Sequence, residues 1–167
     1  MSKKQFGEWL KLFSDKIKVF NLKLENIYGE KDDSTRFIIP WVISQILKNE
    51  KEIKLTKGEQ KRDFVYVKDV VDAYYELFLK KDSFEKGFYD YNIGSGRPKE
   101  IREVVALIKK LIGNNKTYLN FGAIPYRENE IMELESKVEK IKGDIGWEPK
   151  IPLEEGLKQT IEWYRGK

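Results

Sequence analysis

Apolar side chains change their spacing early in the chain, from a helical period to an alternating one. Phe6, Trp9 and Phe13 recur every three or four positions. They predict an amphipathic helix over residues 2–14, one that begins almost at the first residue without a visible entry turn. Residues 17–24, IKVFNLKL, alternate between apolar and polar side chains and predict a strand.

The remaining elements follow from the same two periods. Helices are predicted over 37–48, from Val70 to Phe78, from Ile101 to a stop at Gly113, and after Pro152; strands are predicted at 53–56, 63–67 and 88–93. Ser136 and Glu139 match a capping box, in which two side chains bond the first backbone N–H groups of a helix. They predict a helix start at that point. Helices and strands alternate throughout, which predicts an α/β fold.

The charge pattern argues against nucleic-acid binding. The 167 residues carry 32 basic and 28 acidic side chains, a formal net charge of +4. A nucleic-acid interface needs basic residues gathered into a patch or stripe. Lys and Glu instead alternate along most of this chain, which indicates a solvated surface. The modest positive excess suits a small anionic ligand.

Composition also restricts the chemistry. The chain has no Cys and no His, which excludes disulfides and thiolate metal sites and leaves acid–base catalysis to Tyr, Lys, Asp or Glu. No stretch has the apolar length of a membrane span. The chain starts with MSKK and lacks the apolar region of a signal peptide. We therefore expect a cytoplasmic protein that binds neither membrane nor nucleic acid.

A Gly94-x-Gly96 pair between a predicted strand and a predicted helix occupies the position of a dinucleotide-binding loop. The full fingerprint needs a third glycine three positions further on, where Lys99 stands, and an acidic residue at the end of the next strand. Both are missing. The two glycines are therefore interpreted as a turn between strand and helix.

Residues 62–73, RDFVYVKDVVDA, form the most specific pattern in the chain. Three further stretches accompany it: residues 22–29 read LKLENIYG, residues 91–96 read YNIGSG, and residues 146–163 read GWEPKIPLEEGLKQTIEW. The four stretches resemble motifs of the extended short-chain dehydrogenase/reductases that act on nucleotide sugars, and they occur along the chain in the family's order. The resemblance covers essentially the whole chain.

The resemblance suggests a role for Lys3. The family's catalytic helix reads Y-x-x-x-K, and Lys3 is the best match to its lysine, which puts the tyrosine just before Met1 and outside this chain. In the family that lysine holds the nicotinamide ribose and lowers the pKa of the tyrosine on the same helix face. The Gly-rich nucleotide loop would also be missing. Lys3 is thus a catalytic remnant or, standing alone, a surface lysine.

Arginines match the positions at which the family binds the nucleotide diphosphate. Arg62 and Arg127 are the implied ligands, since planar guanidinium groups bind phosphate oxygens through two N–H groups at once. The alternative for Arg62 is a structural ion pair with Asp63 or Asp69.

Further substrate contacts are implied at Asn26, Phe37 and Leu55. Asn26 would donate to the diphosphate or the sugar, and its alternative is an ordinary turn former. Phe37 and Leu55 match the region that encloses the nucleotide base, and each could instead belong to the core. Asp69 is interpreted as a helix N-cap or a first-turn acid.

The resemblance also implies the architecture. It predicts the C-terminal part of a Rossmann-like domain plus a small mixed substrate-binding subdomain, forming one domain over residues 1–167 with the N-terminal dinucleotide-binding half absent. The parallel strands near 17–24 and 88–93 would leave an open sheet edge. That edge predicts a homodimer or pairing with a separate N-terminal chain. The complete family enzyme uses NAD or NADP, which this chain alone is not expected to bind.

The implied function is the substrate-binding portion of an NAD(P)-dependent nucleotide-sugar epimerase/dehydratase, which binds a nucleotide diphosphate sugar. Residues 121–127, FGAIPYR, resemble the branch that makes deoxysugars of surface polysaccharides, such as the CDP-abequose synthases. Since the catalytic tyrosine and the Gly-rich loop are missing, this chain alone is expected to be inactive. The alternative is a non-enzymatic nucleotide-sugar-binding or scaffold remnant.

Overall fold

Helices and strands alternate along the chain, in agreement with the sequence pattern. The computed structural model describes residues 2–32 and 36–166. The helices are α1 (Lys3–Lys11), α2 (Ile38–Leu47), α3 (Val67–Lys80), α4 (Ile101–Ile112), α5 (Glu139–Ile145) and α6 (Leu153–Arg165). The strands are β1 (Lys18–Leu24), β2 (Asn26–Tyr28), β3 (Glu52–Leu55), β4 (Lys61–Arg62), β5 (Phe64–Tyr66), β6 (Gly87–Ile93), β7 (Lys99–Glu100) and β8 (Tyr118–Phe121).

Strand pairing is mostly parallel, as an α/β fold requires. β1 pairs with β6 in parallel from Lys18 opposite Gly87 to Leu24 opposite Ile93, so the predicted parallel pair is confirmed. β2 pairs with β5 and β3 with β8, also in parallel, while the short β4 and β7 are antiparallel. The predicted α/β class is therefore confirmed. The extended piece predicted at 63–67 corresponds to β5, since Val67 already begins α3, and β2, β4, β7 and β8 were not predicted.

The interior contains two apolar clusters on opposite sides of β5. Phe64 and Tyr66 belong to the cluster that packs α2, α4 and α6 together. Val65, which points to the other face of the strand, belongs to the cluster formed with α3, α5 and β6. Since all three side chains are buried, β5 is an interior strand and its position is fixed from both sides.

The turn at Gly94–Gly96 is held by the buried carboxylate of Asp63, which is 0% exposed. One carboxylate oxygen accepts hydrogen bonds from the backbone N–H of Ser95 at 2.8 Å and from the Ser95 hydroxyl. The other accepts from the N–H groups of Gly96 at 2.9 Å and Ser136 at 3.0 Å. This one side chain therefore joins β5, the turn after β6 and the segment before α5.

Asp69 lies in the first turn of α3, which confirms one of its two interpretations. The other, N-cap, is wrong, because the N-cap residue is Tyr66 and no side chain bonds the helix end there. Asp69 instead accepts hydrogen bonds from the backbone N–H groups of Lys150 at 3.0 Å and Ile151 at 3.1 Å. It therefore fixes the entry to α6.

The predicted capping box at Ser136 and Glu139 is wrong. Helix α5 begins at Glu139 with Val138 as its N-cap and without a side-chain cap. Ser136 is 2% exposed and packs against the turn after β6, and its hydroxyl has no hydrogen-bond partner among the described residues. A capping box is present at α1, where Ser2 and Gln5 bond each other's backbone N–H groups.

We expect the substitution Gly156→Ala to lower the free energy of unfolding by about 1–2 kcal/mol. A Cβ at Gly156 would lie 2.3 Å from the Tyr28 hydroxyl oxygen and 3.0 Å from Tyr66 Cδ2. Overpacking of this kind costs roughly 1–3 kcal/mol, and the better helix propensity of Ala returns at most about 1 kcal/mol. Urea unfolding of both proteins measures the difference.

The control for this substitution is Gly143→Ala in α5. A Cβ at Gly143 meets no atom within 4 Å, so only the helix propensity changes and a stabilisation of about 0.5–1 kcal/mol is expected. Equal effects of the two substitutions would contradict the close packing of α6 against Tyr28.

Candidate binding site

Two adjoining cavities open beside the carboxyl ends of β1 and β3. The first, the Lys3 cavity, has a volume of about 680 Å³ and is lined by Lys3, Glu25 and Phe37 among others. The second, the Arg62 cavity, has a volume of about 410 Å³ and is lined by Arg62, Arg127 and Leu55 among others. Asn26, Ile38 and Phe64 line both cavities and form the wall between them.

Arg62 is mostly buried, and its guanidinium group holds the loop that follows β8. It donates to the backbone carbonyls of Lys61 at 2.8 Å and Ile131 at 2.6 Å, and it forms an ion pair with Glu130. Glu130 was not among the predicted site residues, and it lies 68 positions away along the chain. The alternative pairing of Arg62 with Asp63 or Asp69 does not occur among these hydrogen bonds.

Arg127 is exposed on the rim of the Arg62 cavity. Its loop is anchored at Leu55, whose carbonyl accepts from the N–H groups of Gly122 at 3.0 Å and Ile124 at 3.1 Å. Within the part of the chain that the structure describes, the Arg127 guanidinium has no hydrogen bond or ion pair. It is therefore available to an anionic ligand, whereas Arg62 is already partly neutralised.

Asn26 and Leu55 combine a structural position with a place on the cavity wall. Asn26 is the first residue of β2, so its interpretation as a turn former is wrong. Its side-chain amide nitrogen donates to the Asp63 carbonyl at 3.3 Å. Leu55 ends β3, is 5% exposed and packs into the core while also lining the Arg62 cavity.

Phe37 and Lys3 line the other cavity. Phe37 is the N-cap residue of α2 and is 60% exposed, so it does not belong to the core. Lys3 is the first residue of α1. The fold thus brings the predicted site residues together around two adjoining cavities. Arg62, Arg127 and Leu55 line one, Phe37 and Lys3 line the other, and Asn26 lines both.

Glu25 was also missed by the sequence analysis, although it directly precedes Asn26 in the quoted LKLENIYG motif. It is partly buried in the break between β1 and β2. Burial raises the pKa of its carboxyl group, and the negative charge of Asp63 raises it further. Glu25 therefore presents a partly buried carboxyl group to the Lys3 cavity, at the end of β1.

Two other features, a metal-binding cluster and a membrane-spanning helix, do not occur among the described residues. Over 2–32 and 36–166 no group of three or more acidic side chains is arranged to hold a metal ion. None of the described helices is long and apolar enough to cross a membrane.

The sequence matches the model of the NAD dependent epimerase/dehydratase family over residues 2–94. A CDP-abequose synthase of Salmonella muenchen is 37% identical over 163 residues, which are 96% of this chain and 54% of that protein. A dTDP-D-glucose 4,6-dehydratase of Mus musculus is 33% identical over 154 residues, 90% of this chain and 42% of that protein. The chain therefore belongs to the NAD dependent epimerase/dehydratase family.

Solved structures agree with this assignment. A UDP-glucose 4-epimerase of Thermotoga maritima, crystallised with UDP-glucose, superimposes with a TM-score of 0.83 at 31% identity. The superposition covers 98% of this chain and 52% of that one. The predicted family and the Rossmann-like fold class are thus confirmed. The chain spans about half the length of the relatives it matches.

Proposed function

We propose that this chain supplies the nucleotide-sugar-binding surface of an NAD-dependent epimerase/dehydratase similar to the CDP-abequose synthases. The observation that carries the proposal is the convergence of Arg62, Arg127 and Asn26 on one cavity that adjoins a second. A nucleotide sugar has a charged centre and two uncharged ends. It needs cations near the middle of an elongated site and neutral surface on either side.

The diphosphate binds at the Arg62 cavity in this proposal. Arg127 offers an unpaired guanidinium group, which suits bidentate contacts with phosphate oxygens. Lys54 lines the same cavity and adds to the positive charge, which Glu130 offsets in part. Arg62 acts in two ways, since it contributes charge and also fixes the loop that carries Arg127.

The wall between the cavities orients the two ends of the ligand. Leu55 provides apolar surface for the nucleotide base in the Arg62 cavity. The exposed ring of Phe37 provides apolar surface in the Lys3 cavity. Asn26 lies between the cavities and supplies an amide group to the diphosphate or the sugar. The hexose then extends into the Lys3 cavity, which is the more polar end because Lys3 and Glu25 line it.

The residues of this chain fit one part of the dinucleotide cofactor. Lys3 begins a helix beside the proposed sugar position, where an ammonium group would hold the nicotinamide ribose. The pyrophosphate-binding loop with three glycines does not occur in the sequence. NAD, when bound in a complete family enzyme, accepts and returns a hydride. Holding that cofactor requires a surface beyond these residues.

A partner for β1 and α1 is part of the same proposal. Among the described residues β1 pairs only with β6, which leaves its other edge open. Phe6 and Trp9 on α1 and the C-cap residue Leu12 are exposed. Open edges and apolar faces of this kind are normally covered. The cover is a second copy or a chain that carries the dinucleotide-binding half.

The substitution Arg127→Ala is expected to weaken nucleotide-sugar binding about 10- to 100-fold. A charge-assisted hydrogen bond contributes roughly 1.5–3 kcal/mol, and among the described residues the Arg127 guanidinium has no hydrogen bond or ion pair whose loss would disturb the fold. Isothermal titration with UDP-, CDP- and dTDP-glucose measures the dissociation constants. Arg62→Ala is less informative, because it also removes the ion pair with Glu130 and the hydrogen bond that holds the loop after β8.

The matched control is Arg97→Ala, which removes the same charge from an exposed site outside both cavities. The dissociation constant of this variant for each nucleotide sugar should stay within about threefold of that of the unaltered chain, because only screened long-range attraction is lost. Equal weakening by both substitutions would indicate non-specific charge attraction and would refute the proposed diphosphate site.

A further inference from the structure

Glu25 occupies a rigid position at the end of β1. Its backbone N–H donates to the carbonyl of Ile93 at 3.1 Å, which continues the pairing between β1 and β6. The next residue, Asn26, begins β2 and pairs with Phe64. The residue is thus fixed by strands on both sides. Parallel sheets commonly bind ligands beyond the carboxyl ends of their strands, which is where Glu25 lies.

The Glu25 carboxylate has no hydrogen bond or ion pair from any residue of the described ranges. Glu30 lines the same cavity but is neutralised by Lys68, whose Nζ lies 3.1 Å from its carboxylate. A partly buried carboxylate without a donor is unfavourable. The raised pKa of Glu25 agrees with that cost. A ligand that brought hydroxyl donors into the Lys3 cavity would remove this energetic cost.

The two cavities differ in the charge that they offer to a ligand. The first is lined by three cations, Arg62, Arg127 and Lys54, with one acid, Glu130. The second is lined by acids and cations together: Glu25, Glu30, Asp32, Lys3 and Lys31. Among the described residues none forms an ion pair with Glu25. A diphosphate is therefore attracted more strongly to the first cavity. A carboxylate attached to the sugar would be repelled by Glu25 at close range, because unlike a hydroxyl it has no proton to donate.

We infer that Glu25 determines sugar specificity by accepting hydrogen bonds from hexose hydroxyls and by excluding sugars that carry a carboxylate. The inference rests on the proposed nucleotide-sugar site and adds the class of sugar, a neutral hexose. Exclusion through a repulsive group is a common source of specificity. Here the same carboxylate supplies both the attractive and the repulsive contribution.

UDP-glucose and UDP-glucuronic acid test this inference, since they share the base and the diphosphate and differ at C6. Titration of the unaltered chain should give a dissociation constant at least about tenfold higher for the glucuronic acid compound. Glu25→Gln should weaken UDP-glucose binding and bring the ratio of the two constants to within about threefold of unity. A ratio near unity in the unaltered chain, or one unchanged by Glu25→Gln, would overturn the inference.

Glu30→Gln is the matched control. It also removes a carboxylate from the wall of the Lys3 cavity, but Lys68 already neutralises that carboxylate. It should leave the ratio unchanged, and an equal change in both variants would overturn a specific role for Glu25. UDP without a sugar separates the two proposals. If UDP binds and depends on Arg127 while the two sugars are not distinguished, only the inference fails; if no compound binds, both fail.

Discussion

Asp63→Asn is expected to lower the free energy of unfolding by about 3–5 kcal/mol. The carboxylate of Asp63 accepts hydrogen bonds on both oxygens, from Ser95 on one and from Gly96 and Ser136 on the other. An amide in its place accepts on one side only and presents its own N–H groups to donors on the other. At least two charge-assisted bonds, each contributing roughly 1.5–3 kcal/mol, are lost without access to water.

Urea denaturation of the variant measures this effect, with Asp72→Asn as the control. Asp72 forms an ion pair with Lys150 at 3.0 Å, and the Lys150 side chain is 67% exposed. Exposed pairs contribute about 0–1 kcal/mol, so the control should be nearly neutral. An Asp63 variant as stable as the control would contradict the role of Asp63 in joining β5 to the turn after β6.

The second large effect is expected for Gly94→Ala, which should destabilise the fold by about 3 kcal/mol. A Cβ at Gly94 would lie 2.0 Å from Ser136 Oγ, 2.3 Å from Ser136 Cβ and 2.7 Å from Asp63 Oδ2. Both neighbours are buried, so neither can move away without breaking other contacts. Thermal and urea unfolding measure the loss.

Ser136→Gly should partly rescue this substitution. It removes the two nearest side-chain atoms but keeps the backbone N–H that donates to Asp63. In a double-mutant cycle the coupling between the two positions should therefore be favourable by about 1 kcal/mol or more. Additive effects would show that the strain at Gly94 arises elsewhere.

Local patterns were sufficient to predict most helices and the central strand pair. The apolar spacing in residues 2–14 and the alternation in 17–24 each depend on neighbours within a few positions, and both elements form. Gly113 ends α4 in the left-handed conformation, as its place after the last apolar residue indicates. β8 was not predicted because its four residues do not alternate clearly between apolar and polar side chains.

Contacts between distant segments could not be predicted in the same way. Ser136 satisfies the local pattern of a helix cap, but tertiary packing buries it beneath Gly94 and uses its N–H for Asp63. Similarly, the pattern around Arg62 indicates a phosphate ligand but gives no sign of Glu130, which reaches it from a distant loop. The family motif likewise indicates Asn26 as a ligand but gives no sign of a role for Glu25 beside it.

The most direct test of the central claim is a calorimetric titration of the chain with UDP-, CDP- and dTDP-glucose, with NAD as a parallel ligand. We expect saturable one-site binding of at least one nucleotide sugar, weakened by Arg127→Ala, and no comparable binding of NAD. A chain that is folded by circular dichroism but binds none of the three sugars would contradict the proposed site and leave only the family relationship.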